Sequence, residues 1–195
     1  MLVDGVIYVA YGPPACREAL ASIVSLKGQY PVTVVGEVYR AIHFDDLNSR
    51  GRWAKLNLDS LTPYDNTLYM DADTRVRGDL SAGFDLLHDG WDLAIAASGN
   101  QGERAFWHVD LDERAATFAE VGEAVQLQAG VFFFARNARV LNFFAVWRSE
   151  FKRWGFNDQA ALVRALWRAP LKVWLLGRDF NGGAIVEHRW GVARA

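Results

Sequence analysis

The chain reads as an α/β fold with a mainly parallel central sheet flanked by helices. Three observations predict it. Short apolar runs rich in Val, Ile, Tyr and Phe alternate with stretches of helical periodicity. The first unit is strand, helix, strand, which calls for a parallel pair joined by a right-handed crossover. The hydrophobic fraction of 51% over 195 residues is enough for a sizeable core in one domain, residues 1–195.

The elements follow in order. VIYVAYG, Val6 to Gly12, is a buried strand ending in glycine. Pro13 and Pro14 suit the first turn of a helix, whose apolar face is expected at Leu20, Ile23 and Val24 and whose stop is Gly28. PVTVVGE, from Pro31, is the second strand, and residues 39–49 read as irregular. RWAKLNLDSL, Arg52 to Leu61, is a short helix closed by Thr62-Pro63. TLYMDADTRV, Thr67 to Val76, and WDLAIAAS, Trp91 to Ser98, are further strands. The polar segment Ser98 to Asp110 is a loop over a site, and Asp110 or Asp112 caps the helix after it. VQLQAGVFFFARN, Val125 to Asn137, is a strand interrupted by Gly130. Two helices, VLNFFAVWRSEFKRW and NDQAALVRALW, precede the late strand LKVWLL.

Composition narrows the function classes. A lone cysteine, Cys16, forms no intramolecular disulfide, so a reducing, cytoplasmic setting is expected. The N-terminus carries Asp4 and no basic region, so it reads as a strand and not as a signal peptide. No run is long and apolar enough for a transmembrane segment. The net charge of −2 is uneven: residues 1–135 carry −9 and residues 136–178 carry +7. The basic segment 147–168 also holds Trp147, Trp154 and Trp167, a pattern that a nucleic acid, an anionic glycan or a membrane surface would accept. The same pattern fits tryptophans packed in a core beneath a solvated charged face.

The chemistry concentrates at Asp71-Ala72-Asp73. A buried strand that ends in two aspartates delivers both carboxylates to the carboxyl edge of a sheet, where open α/β sheets bind ligands. Hard carboxylate oxygens suit Mg²⁺ or Mn²⁺, which commonly arrive with substrate phosphates. Chance alone gives such a pair about once in a chain of this length, and Asp110-Leu111-Asp112 is a second instance with a helix to cap.

Four stretches in order carry more than any one motif. They are RWAKLNLDSLTPYDNTLYMDADTRVRGDL, LQAGVFFF, NDQAAL and VEHRWG. With them the sequence resembles the GT-A glycosyltransferases, most closely glycosyltransferase family 8, a retaining group that includes glycogenin and bacterial galactosyltransferases. The resemblance runs from Val6 to Gly191. It implies a GT-A-type nucleotide-diphospho-sugar transferase fold as a minimal catalytic domain. It also implies metal-dependent transfer of a hexose from a nucleotide sugar, a UDP-sugar, with retention, to an unspecified acceptor.

Roles carry over residue by residue. Asp71, Asp73 and His188 would hold Mn²⁺ or Mg²⁺, and two carboxylates with one imidazole favour Mn²⁺ over Ca²⁺. Lys55 matches the basic residue that reaches the diphosphate or the first aspartate. Tyr8, Ala10 and Tyr11 stand where the family contacts its nucleobase, and Ala72 and Gly191 complete the donor contacts. Asp158 and Gln159 match the pair beside the sugar: Gln159 stabilises a retaining transfer, whereas an inverting one would use Asp158 as base. Gln128 stands where the family has asparagine, with a longer arm. The family's His-x-x-Gly runs on into Lys-Pro-Trp, which this sequence lacks; Arg178, Arg189 or Arg194 is the candidate substitute cation. Two other classes compete. A nucleotidyltransferase of related fold would open with a Gly-rich loop, which VAYGPPACRE is not, and a degenerate nucleotide-sugar binder would bind without turnover.

Overall fold

A computed structural model describes residues 2–36, 47–155 and 157–194. Eight strands and seven helices occur among them: β1 Asp4–Val9, α1 Pro13–Ser25, β2 Val32–Val35, α2 Leu47–Lys55, α3 Leu58–Leu61, β3 Asn66–Asp71, β4 Thr74–Val76, α4 Ser81–His88, β5 Leu93–Ala97, α5 Leu111–Val121, β6 Leu127–Ala135, α6 Ala138–Trp154, α7 Asp158–Arg168, β7 Val173–Leu176 and β8 Val186–His188. Six strands form the central sheet in the order β2-β1-β3-β6-β5-β7. All pairings in it are parallel except those of β6, which runs against both β3 and β5. The sheet is thus mostly parallel, with helices on both faces.

Alternation along the strands decides which layer each side chain joins. Ile7, Val9, Tyr69, Phe132 and Phe134 face one way and pack against α2, α3, α6 and α7, with Trp147 fully buried there. Val6, Tyr8, Leu68, Met70 and Phe133 face the other way, onto α1, α4 and the small β4–β8 ribbon. A satellite cluster of Phe106, Val109, Val121, Ala160 and Val163 fastens the loop before α5 onto α5 and α7. Sheets buried on both faces read as continuous apolar runs, which is what β1 and β6 show.

Several local expectations need correction. The buried face of α1 is Ala19 and Ser22, with Ile23 half-buried, while Leu20 and Val24 are 63% and 77% exposed. Ser22 can be buried because its hydroxyl bonds both Tyr8 and Thr74, each at 3.0 Å. Arg52 to Leu61 is not one helix: α2 ends at Lys55 and α3 begins at Leu58. TLYMDADTRV is not one strand either. The chain turns after Asp71, the Thr74 hydroxyl donates to the Asp71 carbonyl at 2.8 Å, and β4 continues in a separate ribbon with β8. β6 runs unbroken through Gly130. The residues expected to be irregular, 39–49, lie outside the described residues up to position 46; from Leu47 they are helical. α4 had no counterpart in the sequence reading.

Candidate active site

β3 carries Asp71 out at its carboxyl end, beside Val9 at the end of β1. The turn Asp71–Thr74 then presents Asp73. The β4–β8 ribbon pairs Thr74 with His188 and so swings the imidazole over the turn. Nε2 of His188 stands 3.3 Å from the Asp73 carboxylate and 3.8 Å from that of Asp71. One potential ligand atom from each of the three residues lies within 4.8 Å of the others.

The donor set fits a divalent cation. Atoms that share an octahedral ion at ~2.1 Å stand about 3 Å apart when adjacent and about 4 Å apart when opposite, and the two separations from His188 Nε2 fall in that range. The imidazole is also oriented for it. Nδ1 of His188 bonds Oδ1 of the buried Asn181 at 2.7 Å, which makes Nδ1 the protonated nitrogen and leaves the Nε2 lone pair facing the carboxylates. Gly130 on β6 clears the space: a Cβ there would stand 2.5 Å from His188 Cε1 and 2.9 Å from Asp71 Oδ2. The second oxygen of Asp73 accepts from the Gly191 amide at 2.8 Å. Burial pushes the Asp73 carboxyl up; His188, when its ring is protonated, and the Gly191 amide outweigh it and hold the group below its ordinary value.

A second ionic cluster adjoins the first. Lys55 at the end of α2 reaches Asp158 at 3.0 Å and Asp71 at 3.2 Å. The Tyr69 hydroxyl donates to the same Asp71 oxygen at 2.5 Å, which leaves the other oxygen turned toward His188. Burial lowers the Lys55 ammonium, yet the charges of Asp158 and Asp71 outweigh it and raise it above its ordinary value. Burial raises the Asp158 carboxyl, and Lys55 more than reverses that. Tyr69 is pushed well up, by burial first and by the Asp71 charge second, so its hydroxyl stays a donor.

Asp158 and Gln159 open α7, where the Asn157 side chain caps the amides of Gln159 and Ala160. Trp147 fixes the turn by donating its indole N–H to the Asp158 carbonyl at 2.9 Å. The Gln159 amide is set from both sides: Nε2 donates to Gln128 at 3.0 Å, and Oε1 accepts from Gln126 at 3.4 Å. Gln128's longer arm thus reaches Gln159. Asn181 and Gln126 escaped the sequence reading, because their roles rest on contacts seven and 33 residues away along the chain.

Two connected hollows meet at this cluster. One, about 900 Å³, is lined by Lys55, Asp71, Gln128, Gln159 and Trp107 among others. The other, about 440 Å³, holds Tyr11, Ala72, Asp73 and Gly191. Asp71, Asp158, His188 and Trp190 border both. Tyr11, Lys55, Gln128, Asp158 and Gln159 therefore all line the cleft. Tyr8 does not: its side chain is fully buried on the α1 side of the sheet and bonds Ser22 and Met70. Ala10 is 1% exposed and packs on Ala19 and Ala72 beneath the cleft floor. Of the candidate substitute cations, Arg178 lines the cleft, Arg189 pairs with Glu18 at 3.3 Å, and the Arg194 side chain lies outside the described ones.

Every arginine of the basic segment 147–168 is paired with an acid, most of these acids lying elsewhere in the chain. Arg148 pairs with Asp59, the fully buried Arg164 with Glu113 and Glu150, and Arg153 and Arg168 with Glu120. Lys152 lies over the Trp53 ring at 5.1 Å. No helix among the described residues is long and apolar enough to cross a membrane.

No sequence-family profile and no curated protein sequence matches the chain. Solved structures do. Mouse xyloside xylosyltransferase 1 in its apo form aligns at 11% identity and TM-score 0.57, over 91% of this chain and 86% of that one. The galactosyltransferase LgtC in complex with donor and acceptor sugar analogues aligns at 17% and 0.58, over 98% and 82%. A glycosyltransferase involved in glycosylation of the major capsid of PBCV-1 aligns at 13% and 0.58, over 96% and 93%. The chain spans only 39% of the bifunctional glycosyltransferase WbbM and 47% of GlyE from Streptococcus pneumoniae. At these identities the likeness is one of architecture, and the architecture of this chain is the GT-A glycosyltransferase fold.

Proposed function

We propose that this chain is a metal-dependent glycosyltransferase that transfers a hexose from a nucleotide sugar, a UDP-sugar, with retention. The observation that carries the reading is the Asp71, Asp73 and His188 cluster where the two hollows meet, with one histidine nitrogen bonded to Asn181 and the other aimed at both carboxylates. Mn²⁺ or Mg²⁺ held there would supply Lewis-acid stabilisation of the departing diphosphate.

The protein's own groups do the rest. The smaller hollow, with Tyr11 on its wall, receives the nucleoside. The Lys55 ammonium, charged despite burial, adds positive potential at the diphosphate. Gln159 faces the sugar with an amide whose two ends are already fixed, so it orients without reorganising. Retention is favoured because Asp158 is a poor base: its carboxylate is tied to Lys55 and held below its ordinary value. An inverting transfer would need that carboxylate free.

The test is a screen of UDP-sugars with Mn²⁺, following UDP release. Slow metal-dependent hydrolysis of at least one donor, giving first the α-anomer of the sugar by proton NMR, is expected. A β-anomer as the first product would remove retention. Metal-dependent UDP binding without any release would instead favour the degenerate binder.

A further inference from the structure

The loop between β5 and α5 walls part of the larger hollow, and it is held firmly. Phe106 is fully buried, and Ala105 and Val109 pack with it against α5 and α7. The Phe106 amide donates to the Gln126 side chain at 2.7 Å. Gln101 exchanges two bonds with the Gln126 backbone, at 2.7 and 2.9 Å. Yet Trp107, between these anchors, is 64% exposed and lines the cleft. A large indole held in water by a fixed loop is an informative exception to the burial of aromatics.

The chemistry of this wall is aromatic, polar and poor in cations. Ser98, Asn100, His108 and Asp110 share it with Trp107. Among the described residues, the cations that line the cleft are Arg52 and Lys55 of α2 and Arg178 after β7, and none comes from the 98–110 segment. Burial holds the His108 ring below its ordinary value, so it is neutral near pH 7 and both donates and accepts. A phosphate or carboxylate ligand calls for arginine or lysine forks, and Asp110 would repel it. A pyranose suits the wall better: its C–H face stacks on an indole, and its hydroxyls meet short polar side chains and a neutral imidazole. The wall also adjoins Gln159 through Gln126, so a ligand on it lies next to the amide that faces the donor sugar.

We propose that this wall is the acceptor subsite and that the acceptor is a neutral saccharide whose ring stacks on Trp107. The proposal rests on the glycosyltransferase reading for the word acceptor, but the saccharide site itself is testable without a donor. In saturation-transfer NMR, the ring protons of methyl β-galactopyranoside, methyl β-glucopyranoside and methyl β-lactoside are observed with the protein alone. At least one should receive saturation, with an affinity about tenfold weaker in Trp107→Ala and largely restored in Trp107→Phe. Trp174→Ala, an exposed indole on β7 outside the cleft, should leave it at the wild-type level, and thermal melting reports that each variant is folded. The same saccharide should accelerate UDP release, with its KM about tenfold higher in Trp107→Ala. Saccharide binding that is indifferent to Trp107→Ala, or none from any of the three, overturns the proposal. With metal-dependent UDP binding intact, that result sinks the acceptor subsite alone, and acceleration by a peptide instead would name its replacement. Trp107-dependent saccharide binding without UDP binding sinks the transferase reading and leaves the saccharide site.

Discussion

Gly130→Ala should disable the proposed metal site without replacing any of its ligands. An added Cβ would stand 2.5 Å from His188 Cε1, against at least ~3.4 Å for an ordinary contact of this kind. The ring or the strand must therefore give by about 0.9 Å. The ring has little freedom, since Nδ1 is bonded to Asn181 and the ring is stacked on Trp190 at 5.0 Å and 20°. The strand has less, since β6 is paired on both sides. Metal–ligand distances tolerate about 0.2 Å, so a shift several times larger removes His188 as a ligand or splays it from the carboxylates. The expected loss is 10- to 100-fold in Mn²⁺ affinity, with an overpacking cost of roughly 1–3 kcal/mol in stability. Electron paramagnetic resonance of free Mn²⁺ gives the affinity, and urea unfolding gives the stability. Mn²⁺ affinity within twofold of wild type in a folded Gly130→Ala protein would refute the assignment of His188.

Two further outcomes follow from the ionic groups. Lys55→Met leaves Asp71 and Asp158 facing each other without their shared cation. It should cost about 3 kcal/mol, the low end for one partner of a buried pair because Asp71 is partly open to water, and donor hydrolysis should fall with it; urea unfolding and UDP release measure both. Asp92 is fully buried at the start of β5 and accepts two bonds from Arg139, one from Asn137 and one from the Lys172 amide. Burial raises its carboxyl, but those donors outweigh it and hold it below the ordinary value. Its stabilisation is therefore complete above the unfolded pKa of about 3.9 and is lost as pH falls through the depressed folded value. The stability gap between wild type and Asp92→Ala, about 2–3 kcal/mol, should be flat from pH 8 to pH 5 and shrink below pH 4. A gap that persists unchanged at pH 2 would contradict the ionic account.

The sequence made some features plain for physical reasons. Alternating apolar runs and helical periods disclosed the layers, and a strand ending in two aspartates marked its own carboxyl edge. Asn157, the first residue of the NDQAAL run, was readable as the start of α7. Other features were hidden in three-dimensional pairings. Tyr8 and Tyr69 are both tyrosines in buried strands, yet opposite faces of one sheet send Tyr8 to Ser22 and Tyr69 to Asp71. Because both faces are apolar, alternation could not tell them apart. The periodicity of α1 favoured Leu20 and Val24, but the close packing of α1 on Thr74 and Tyr8 selects small Ala19 and Ser22 instead. The cations of segment 147–168 looked like one surface, and their partners Asp59, Glu113 and Glu120 lie far away in the chain. Asn181, next to Gly182-Gly183, reads as a turn residue in one dimension; the turn in which the Gly182 and Gly183 amides donate to the Val186 carbonyl folds it back onto His188.

The proposed metal-dependent diphosphate site at Asp71, Asp73 and His188 makes a direct demand on UDP binding. Calorimetric titration of UDP into the protein, with Mn²⁺ and then with EDTA, beside Asp73→Ala, tests it most directly. UDP should bind only when Mn²⁺ is present, and the binding should be lost in Asp73→Ala while the variant stays folded. UDP binding equally tight in EDTA, or no UDP binding with any divalent metal, would contradict the proposed site.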